Sequence, residues 1–149
     1  MKVKKVILVA IIILALGGII DSSYALQQHY APPDVSSCDV NETISCTAVN
    51  QSKYSEIFGL PVAGIGIAGY MTIGLLAGTA ISRKSSASVL IKLLAVMALG
   101  ALAVSLYLTY IELFVLHALC PLCMLSLVLI IATAVLAIRA TMLKTRGKD

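Results

Sequence analysis

Four apolar stretches, 6–20, 61–81, 89–111 and 120–138, occupy more than half of this 149-residue chain and dictate where it can fold. A helix needs roughly 20 predominantly apolar residues to cross about 30 Å of hydrocarbon, and three of the four approach that length. The first is shorter and completes a crossing only by continuing through residues 21–25. Only 12% of the residues are charged, against about 25% in soluble domains, and the mean hydropathy is +1.01. A water-soluble core of this size cannot hide so much apolar surface. The expectation is an all-α membrane protein, a single domain over 1–149 built as a four-transmembrane-helix bundle. Its spans fall at about 6–25, 61–81, 89–111 and 118–138, with a long extracytoplasmic loop at about 26–60 between the first two. In the second span, Gly64, Gly66, Gly69, Gly74 and Gly78 are the small residues that let membrane helices approach closely.

Charge placement orients this bundle. Lys2, Lys4, Lys5, Arg83, Lys84, Lys92, Arg139, Lys144, Arg146 and Lys148 fall on one side of the four-span plan, and Lys53 alone falls on the other. Cytoplasmic loops collect Lys and Arg, so both termini and the loop at 83–88 are expected inside. The loop at 26–60 and the turn around His117 are then outside. Asp21, Asp34, Asp39, Glu42, Glu56 and Glu112 lie on or near that outer side, and solvation at the interface accounts for Glu112. Lys92 can snorkel to the interface. The start, with Lys2, Lys4 and Lys5 ahead of an apolar run and Ser23-Tyr24-Ala25, also resembles a cleavable signal peptide. Cleavage leaves the other three spans in the same orientation.

All four cysteines then lie outside, where disulfides persist. Cys38 and Cys46 sit in the polar loop, while Cys120 and Cys123 form Cys-Pro-Leu-Cys at the start of the last helix. Two structural disulfides are the plain alternative. Against that, a Cys-x-x-Cys closes too small a loop to add much stability and is more often redox-active or metal-binding. Cys120 falls at an N-cap position and Pro121 suits the first helical position. Free N–H groups and the helix dipole favour a thiolate here, and thiolate character is expected on Cys123, at the hydrocarbon edge, with Cys120 facing the loop. The Cys38–Cys46 segment has no strong helix or strand pattern, so a disulfide across it reads as exposed and open to exchange. A structural staple is the other possibility. Together the two pairs read as a relay between a protein thiol and a lipid-soluble carrier.

The order Cys38-Asp-Val, Ile44-Ser45-Cys46, Ser52-Lys53-Tyr54, Phe58-Gly59-Leu60-Pro61, Gly66, Tyr70, Tyr107, Cys120-x-x-Cys123 resembles the vitamin K epoxide reductase family from about residue 38 to residue 126. The resemblance implies four helices around a quinone of ubiquinone, menaquinone or vitamin K type, capped by a loop with a short helix. It implies that a thioredoxin-like partner gives electrons to Cys38, that Cys46 exchanges with Cys120, and that Cys123 lies beside the quinone ring. Ser52 matches a loop hydroxyl that supports the transfer; read by itself it is an ordinary helix-capping serine. Vertebrate members hold the quinone oxygens with an asparagine and a tyrosine, where this chain has Val62 and Leu127, neither of which can donate a hydrogen bond. Val62, Gly66 and Leu127 are thus the pocket positions implied by the resemblance. The departure favours the microbial pattern, in which a quinone accepts electrons and disulfides are made. With no thioredoxin-like domain in the sequence, the partner is expected to be a separate protein. The location implied is the plasma (inner) membrane, or the ER membrane in a eukaryote.

Other residues carry plainer readings. His117, one turn before Cys120, invites a zinc site, but structural zinc sites usually have four close ligands, and no metal is expected. His29 reads as a loop residue, and Tyr107 and Tyr110 read as interfacial aromatics with a quinone contact as the sharper option. Asn41-Glu42-Thr43 and Asn50-Gln51-Ser52 match the N-glycosylation pattern. The basic tail from Arg139 is a topology signal and no sign of nucleic acid. Two further functions stand beside the thiol–quinone relay: a reductase of vitamin K epoxide or quinone, and a non-enzymatic four-span scaffold held by two disulfides.

Overall fold

Each apolar run forms one long helix in the computed structural model, because hydrocarbon offers no partner to a free backbone N–H or C=O and a helix satisfies both within one segment. The structure describes residues 2–32, 38–41, 43–83 and 87–145. Asp34, Glu42, Lys84, Arg146 and Lys148, each placed by charge on one side of the bundle, lie outside the described residues. In chain order the elements are α1 (Lys2–Tyr30), α2 (Cys46–Asn50), β1 (Glu56–Ile57), β2 (Leu60–Pro61), α3 (Val62–Ser82), α4 (Ala87–Ile111) and α5 (Pro121–Thr145). A 3-10 turn covers Lys53–Ser55, and a π turn, Glu112–Leu116, continues α4. The strands pair as a tight antiparallel hairpin, with Glu56 opposite Pro61 and Ile57 opposite Leu60. The four long helices have the length and apolar character to cross a membrane, so the expected bundle is the observed one.

At the ends bearing Lys2, Ala87 and Thr145 the helices run beyond the expected spans, and three boundaries at the opposite end differ as well. The first helix does not stop near residue 25 but runs to Tyr30. Its last turns are polar, and they stay helical because they are docked: Gln51 Nε2 donates to the Gln28 and Ala31 carbonyls at 3.2 and 2.7 Å. The third span continues past residue 111 through the π turn. The fourth helix starts at Pro121 rather than 118, since a bridge pairs Leu119 with Ile44 and holds the chain extended there.

Helix α1 packs on α3 and α5, and α4 packs on the same two, so α1 and α4 stand at opposite corners of a four-membered ring. Small residues set the spacing. A Cβ on Gly18 would lie 2.4 Å from the Tyr70 ring, and one on Gly66 would lie 2.9 Å from the Ser22 hydroxyl. Glycine at 18 lets α1 and α3 meet against the Tyr70 ring, and glycine at 66 leaves the Ser22 hydroxyl its place. At the end bearing Lys2, Arg83 and Arg139, the centre is filled by Leu8, Ile11, Ile91 and Leu94 with Ala77, Ala98, Ala134 and Ala137, all essentially buried. At the other end the centre is not filled, and all four cysteines gather there.

Candidate active site

The two cysteine pairs are 74 residues apart at their closest members, and short backbone links bring them together. Leu119 N–H donates to the Thr43 carbonyl at 2.7 Å, and Ser45 N–H donates to the Leu119 carbonyl at 3.1 Å. Cys46 and Cys120 each follow directly after that bridge. The approach of residue 119 depends on the π turn and on His117, whose left-handed backbone (φ 51°) ends it. Histidine is among the residues that adopt this conformation more readily than most. On the other strand of the bridge, Ser45 caps α2: its Oγ accepts from Ala48 N–H at 3.0 Å. Asp39 braces the same turn, its Oδ1 accepting from Ser45 Oγ at 2.9 Å and Thr47 N–H at 3.1 Å. Desolvation pushes the Asp39 carboxyl up, but hydrogen bonds from Thr47 and Ser45 outweigh it and hold the group below its usual range.

Cys38 and Cys46 are joined as a disulfide, with Cα atoms 5.6 Å apart, while Cys120 and Cys123 are free thiols. Cys120 Sγ lies 3.8 Å from Cys46 Sγ. Both of these inner sulfurs belong to fully buried residues, at 0% exposure; Cys38 and Cys123 are partly exposed and stand at the two ends of the row. The expectation of an openly exposed loop disulfide is therefore corrected: only its Cys38 end is accessible, because α2 and Ala118 cover Cys46. Asn50 touches both pairs, its Nδ2 donating to the Cys46 carbonyl at 3.0 Å and reaching Cys120 Sγ at 3.6 Å. Asn50 is 8% exposed, which leaves no room for a glycan on it in the folded chain.

Thiolate stabilisation falls on Cys120, not on Cys123 as the sequence led us to expect. Cys120 occupies the cap of α5, and Cys123 N–H points at its sulfur at 3.3 Å. The hydrogen bond from the Cys123 thiol, with N–H groups of Cys123 and Leu122, outweighs desolvation and the nearby Glu112 carboxylate and lowers the Cys120 thiol below its ordinary value. The cap sulfur is the one the free N–H groups of a first turn can reach; the sulfur one turn later lies alongside the helix.

Beside Cys123 opens a cavity of about 540 Å³ between the four long helices and the α2 segment. Val62, Ile65, Val104 and Ile130 are among its apolar walls, and Ser52, Asn50, Glu112 and Cys123 line it too. Val62 and Gly66 stand in its wall. Leu127 does not; it packs against the filled core of the bundle instead. Ser126, one residue earlier on α5, faces the cavity. Ser52 donates its hydroxyl to the Val49 carbonyl at 2.8 Å and so ties off the end of α2. Tyr107 and Tyr110 are exposed on the outer surface, Tyr110 against Phe114, and neither lines the cavity.

Two plain readings are overturned. Glu112 is 2% exposed rather than solvated; its Oε2 faces Cys120 N–H at 3.4 Å and its carboxyl meets the Cys123 thiol. His29 is not in a loop but in the last turn of α1, with Nδ1 against the Asn50 carbonyl and Nε2 3.3 Å from Glu56. A charged residue at the end of an apolar run looks like a topology signal until the side facing it is known, and the sequence carried no second signal for Asn50, Glu112 or His29.

Two glycines leave open room along the cavity wall. Gly69 and Gly100 line it, and a Cβ built on either meets nothing within 4 Å. A volume of this order is typical of small-molecule sites, which are mostly apolar with a few placed polar groups. The sequence profile described as the vitamin K epoxide reductase family matches residues 9–138. No individual curated protein matches the chain.

Proposed function

The chain belongs to the vitamin K epoxide reductase family, a family of quinone-linked oxidoreductases, and on that premise we propose that it is a thiol–quinone oxidoreductase supporting disulfide formation. Electrons enter from a separate thioredoxin-like partner at Cys38, pass through Cys46 to Cys120, and leave at Cys123. The observation that carries this is the row of sulfurs: a bonded pair, a 3.8 Å gap between two buried sulfurs, and a free pair whose far member lines the cavity.

A dithiol partner attacks Cys38, forms and then releases its own disulfide, and leaves Cys38 and Cys46 as thiols. Cys46 thiolate attacks Cys120 of an oxidised Cys120–Cys123 pair, expelling Cys123. Cys38 then attacks Cys46, restoring the loop disulfide and releasing Cys120 as the thiolate its cap position favours. That product has the outer pair bonded and the inner pair reduced. Re-forming the Cys120–Cys123 disulfide gives up two electrons and two protons. A quinone, when bound, takes up both. Val62, Ile65, Gly66 and Gly69 would lie along it, and Glu112, against the Cys123 thiol, is placed to receive that thiol's proton. Burial of Cys46 and Cys120 keeps other thiols from intercepting the transfer.

Orientation belongs to the same proposal. The cysteine end faces the oxidising side of the plasma membrane, and the end with Lys2, Arg83 and Arg139 faces the cytoplasm. The deciding experiment mixes the purified protein with a reduced thioredoxin-like protein and a soluble quinone and follows quinone absorbance. Loss of quinone absorbance that needs both the purified protein and its reduced partner supports the relay; partner oxidation without quinone consumption rejects it. Reporter fusions should place Lys53 outside and Arg83 inside. A cytoplasmic Lys53 would sink the mechanism, since cytosolic reductants would hold the loop pair reduced.

A further inference from the structure

Asp21 sits in the wall of the cavity, on a helix that crosses the membrane, roughly 13 Å before the end of α1. It is 6% exposed, and its Oδ1 has no hydrogen-bond partner. A carboxyl in such a place is costly, and its usual tenants are functional groups that face a cavity. An orphaned buried oxygen calls for an explanation in its own right. Its surroundings are polar: the carboxyl meets the Ser126 hydroxyl, Tyr70 Oη lies 3.1 and 3.2 Å from the Ser126 carbonyl and hydroxyl, and Ser22 is the next residue. All four line the cavity. Glycines make the cluster possible, since Gly18 admits the Tyr70 ring and Gly66 admits the Ser22 hydroxyl.

Ser126 is one turn beyond Cys123 on the same face of α5, a rise of about 4.5 Å. The cluster therefore lies about one helical turn farther along the cavity wall than the reacting thiol. We propose that Asp21, as a carboxylic acid oriented by Ser126, donates a hydrogen bond to the quinone carbonyl remote from Cys123 and is the polar clamp of this cavity. The assignment rests on the thiol–quinone function proposed above. A carbonyl oxygen only accepts hydrogen bonds, so an acid or an amide at position 21 can hold it and an aliphatic residue cannot. Val62 offers no donor, and Leu127 faces the core; Asp21 supplies from α1 what those two positions lack.

The test compares Asp21→Asn and Asp21→Leu in the full-length, detergent-solubilised protein. Binding of a short-chain quinone is measured by equilibrium dialysis, alongside KM and kcat for its reduction. Asp21→Leu should weaken binding and raise KM by roughly tenfold, the worth of one well-placed hydrogen bond. Asp21→Asn should stay within about twofold, because its carboxamide N–H still donates. The leucine variant should melt no lower than the parent, because it removes an unpaired buried oxygen; Asp21→Ala carries the same binding expectation if leucine does not fit. Undiminished binding in Asp21→Leu or Asp21→Ala overturns the assignment, as does an Asp21→Asn loss as large as the leucine loss. If the parent protein neither binds nor reduces quinone, the proposed function itself falls. If the parent is active and Asp21 is indifferent, only the clamp falls.

Discussion

The same four helices run through both halves of the bundle, yet one half is closed and the other is held open. In the half near Lys2 and Arg139, alanines at 77, 98, 134, 137 and 140 let the helices close onto Leu8, Ile11, Ile91 and Leu94. Among the described residues, the one buried polar residue there, Thr133, turns its hydroxyl back to the Leu129 carbonyl at 2.8 Å. In the half near the cysteines, Asp21, Ser22, Gln28, Asn50 and Glu112 are all buried, and Gly69 and Gly100 leave room that no neighbour takes. Buried polar groups and empty volume both cost stability, so the open half draws its tolerance for them from the packing of the closed half. Substitutions of the same kind should therefore read out differently in the two halves.

The largest effect belongs to the open half. Cys123→Ser should lower quinone reduction by more than about a hundredfold, since it removes the sulfur that faces the cavity, while leaving the melting temperature near that of the parent. In a Cys38→Ser background, Cys46 should trap Cys120 as a stable disulfide that keeps loop and α5 fragments joined on a non-reducing gel. Normal quinone turnover in Cys123→Ser would reverse the roles within the motif if Cys120→Ser is then inactive, and would leave only structural disulfides if it is not.

Next comes a pair on α3. Ala77→Leu, at a fully buried position, should destabilise the bundle by about 1–3 kcal/mol through overpacking, read as a lower thermal midpoint with an unchanged KM in the molecules that stay folded. Gly69→Leu, two turns earlier, adds its side chain to the cavity. It should raise the quinone KM by roughly tenfold and move the thermal midpoint little. If Gly69→Leu destabilises as much as Ala77→Leu, the two halves do not differ in the way described.

The smallest effect concerns pH. The Glu112 carboxylate opposes the lowered ionisation of Cys120, against the stronger opposite pull of the Cys123 thiol. Removing a negative charge favours a thiolate, so Glu112→Gln should move Cys120 ionisation to lower pH. The measurement is thiolate ultraviolet absorbance across a titration, taken as the difference from the same background carrying Cys120→Ser. A shift to higher pH would mean that Glu112 acts on Cys120 mainly through the hydrogen bond it accepts from the Cys120 N–H.

Much of the candidate site was legible from residues alone, and the failures share a cause. Cys120 and Cys123 announce themselves by spacing, and Cys38 and Cys46 by lying in the only long polar segment. Glu112 and Asp21 looked like interfacial charges because a linear reading gives depth along a helix but not the direction a side chain faces. Leu127 was misjudged for the same reason: one residue is about 100° around a helix, enough to exchange Ser126 for Leu127 at the cavity wall.

By itself, then, the sequence determined that the chain forms four helices long and apolar enough to cross a membrane, and that two cysteine pairs lie at one end of them. Those properties follow from transfer energy and charge, which act residue by residue. Tertiary structure alone decided that Cys46 meets Cys120, that Cys120 rather than Cys123 receives the helix-start N–H, and that Asp21 and Glu112 are buried against a cavity. Each of these needs two segments far apart in the chain to meet, the loop strand at Thr43 and Ser45 with Leu119 or α1 with α5. A sulfur, a carboxyl or a missing Cβ has no chemical role until the opposing surface is in place.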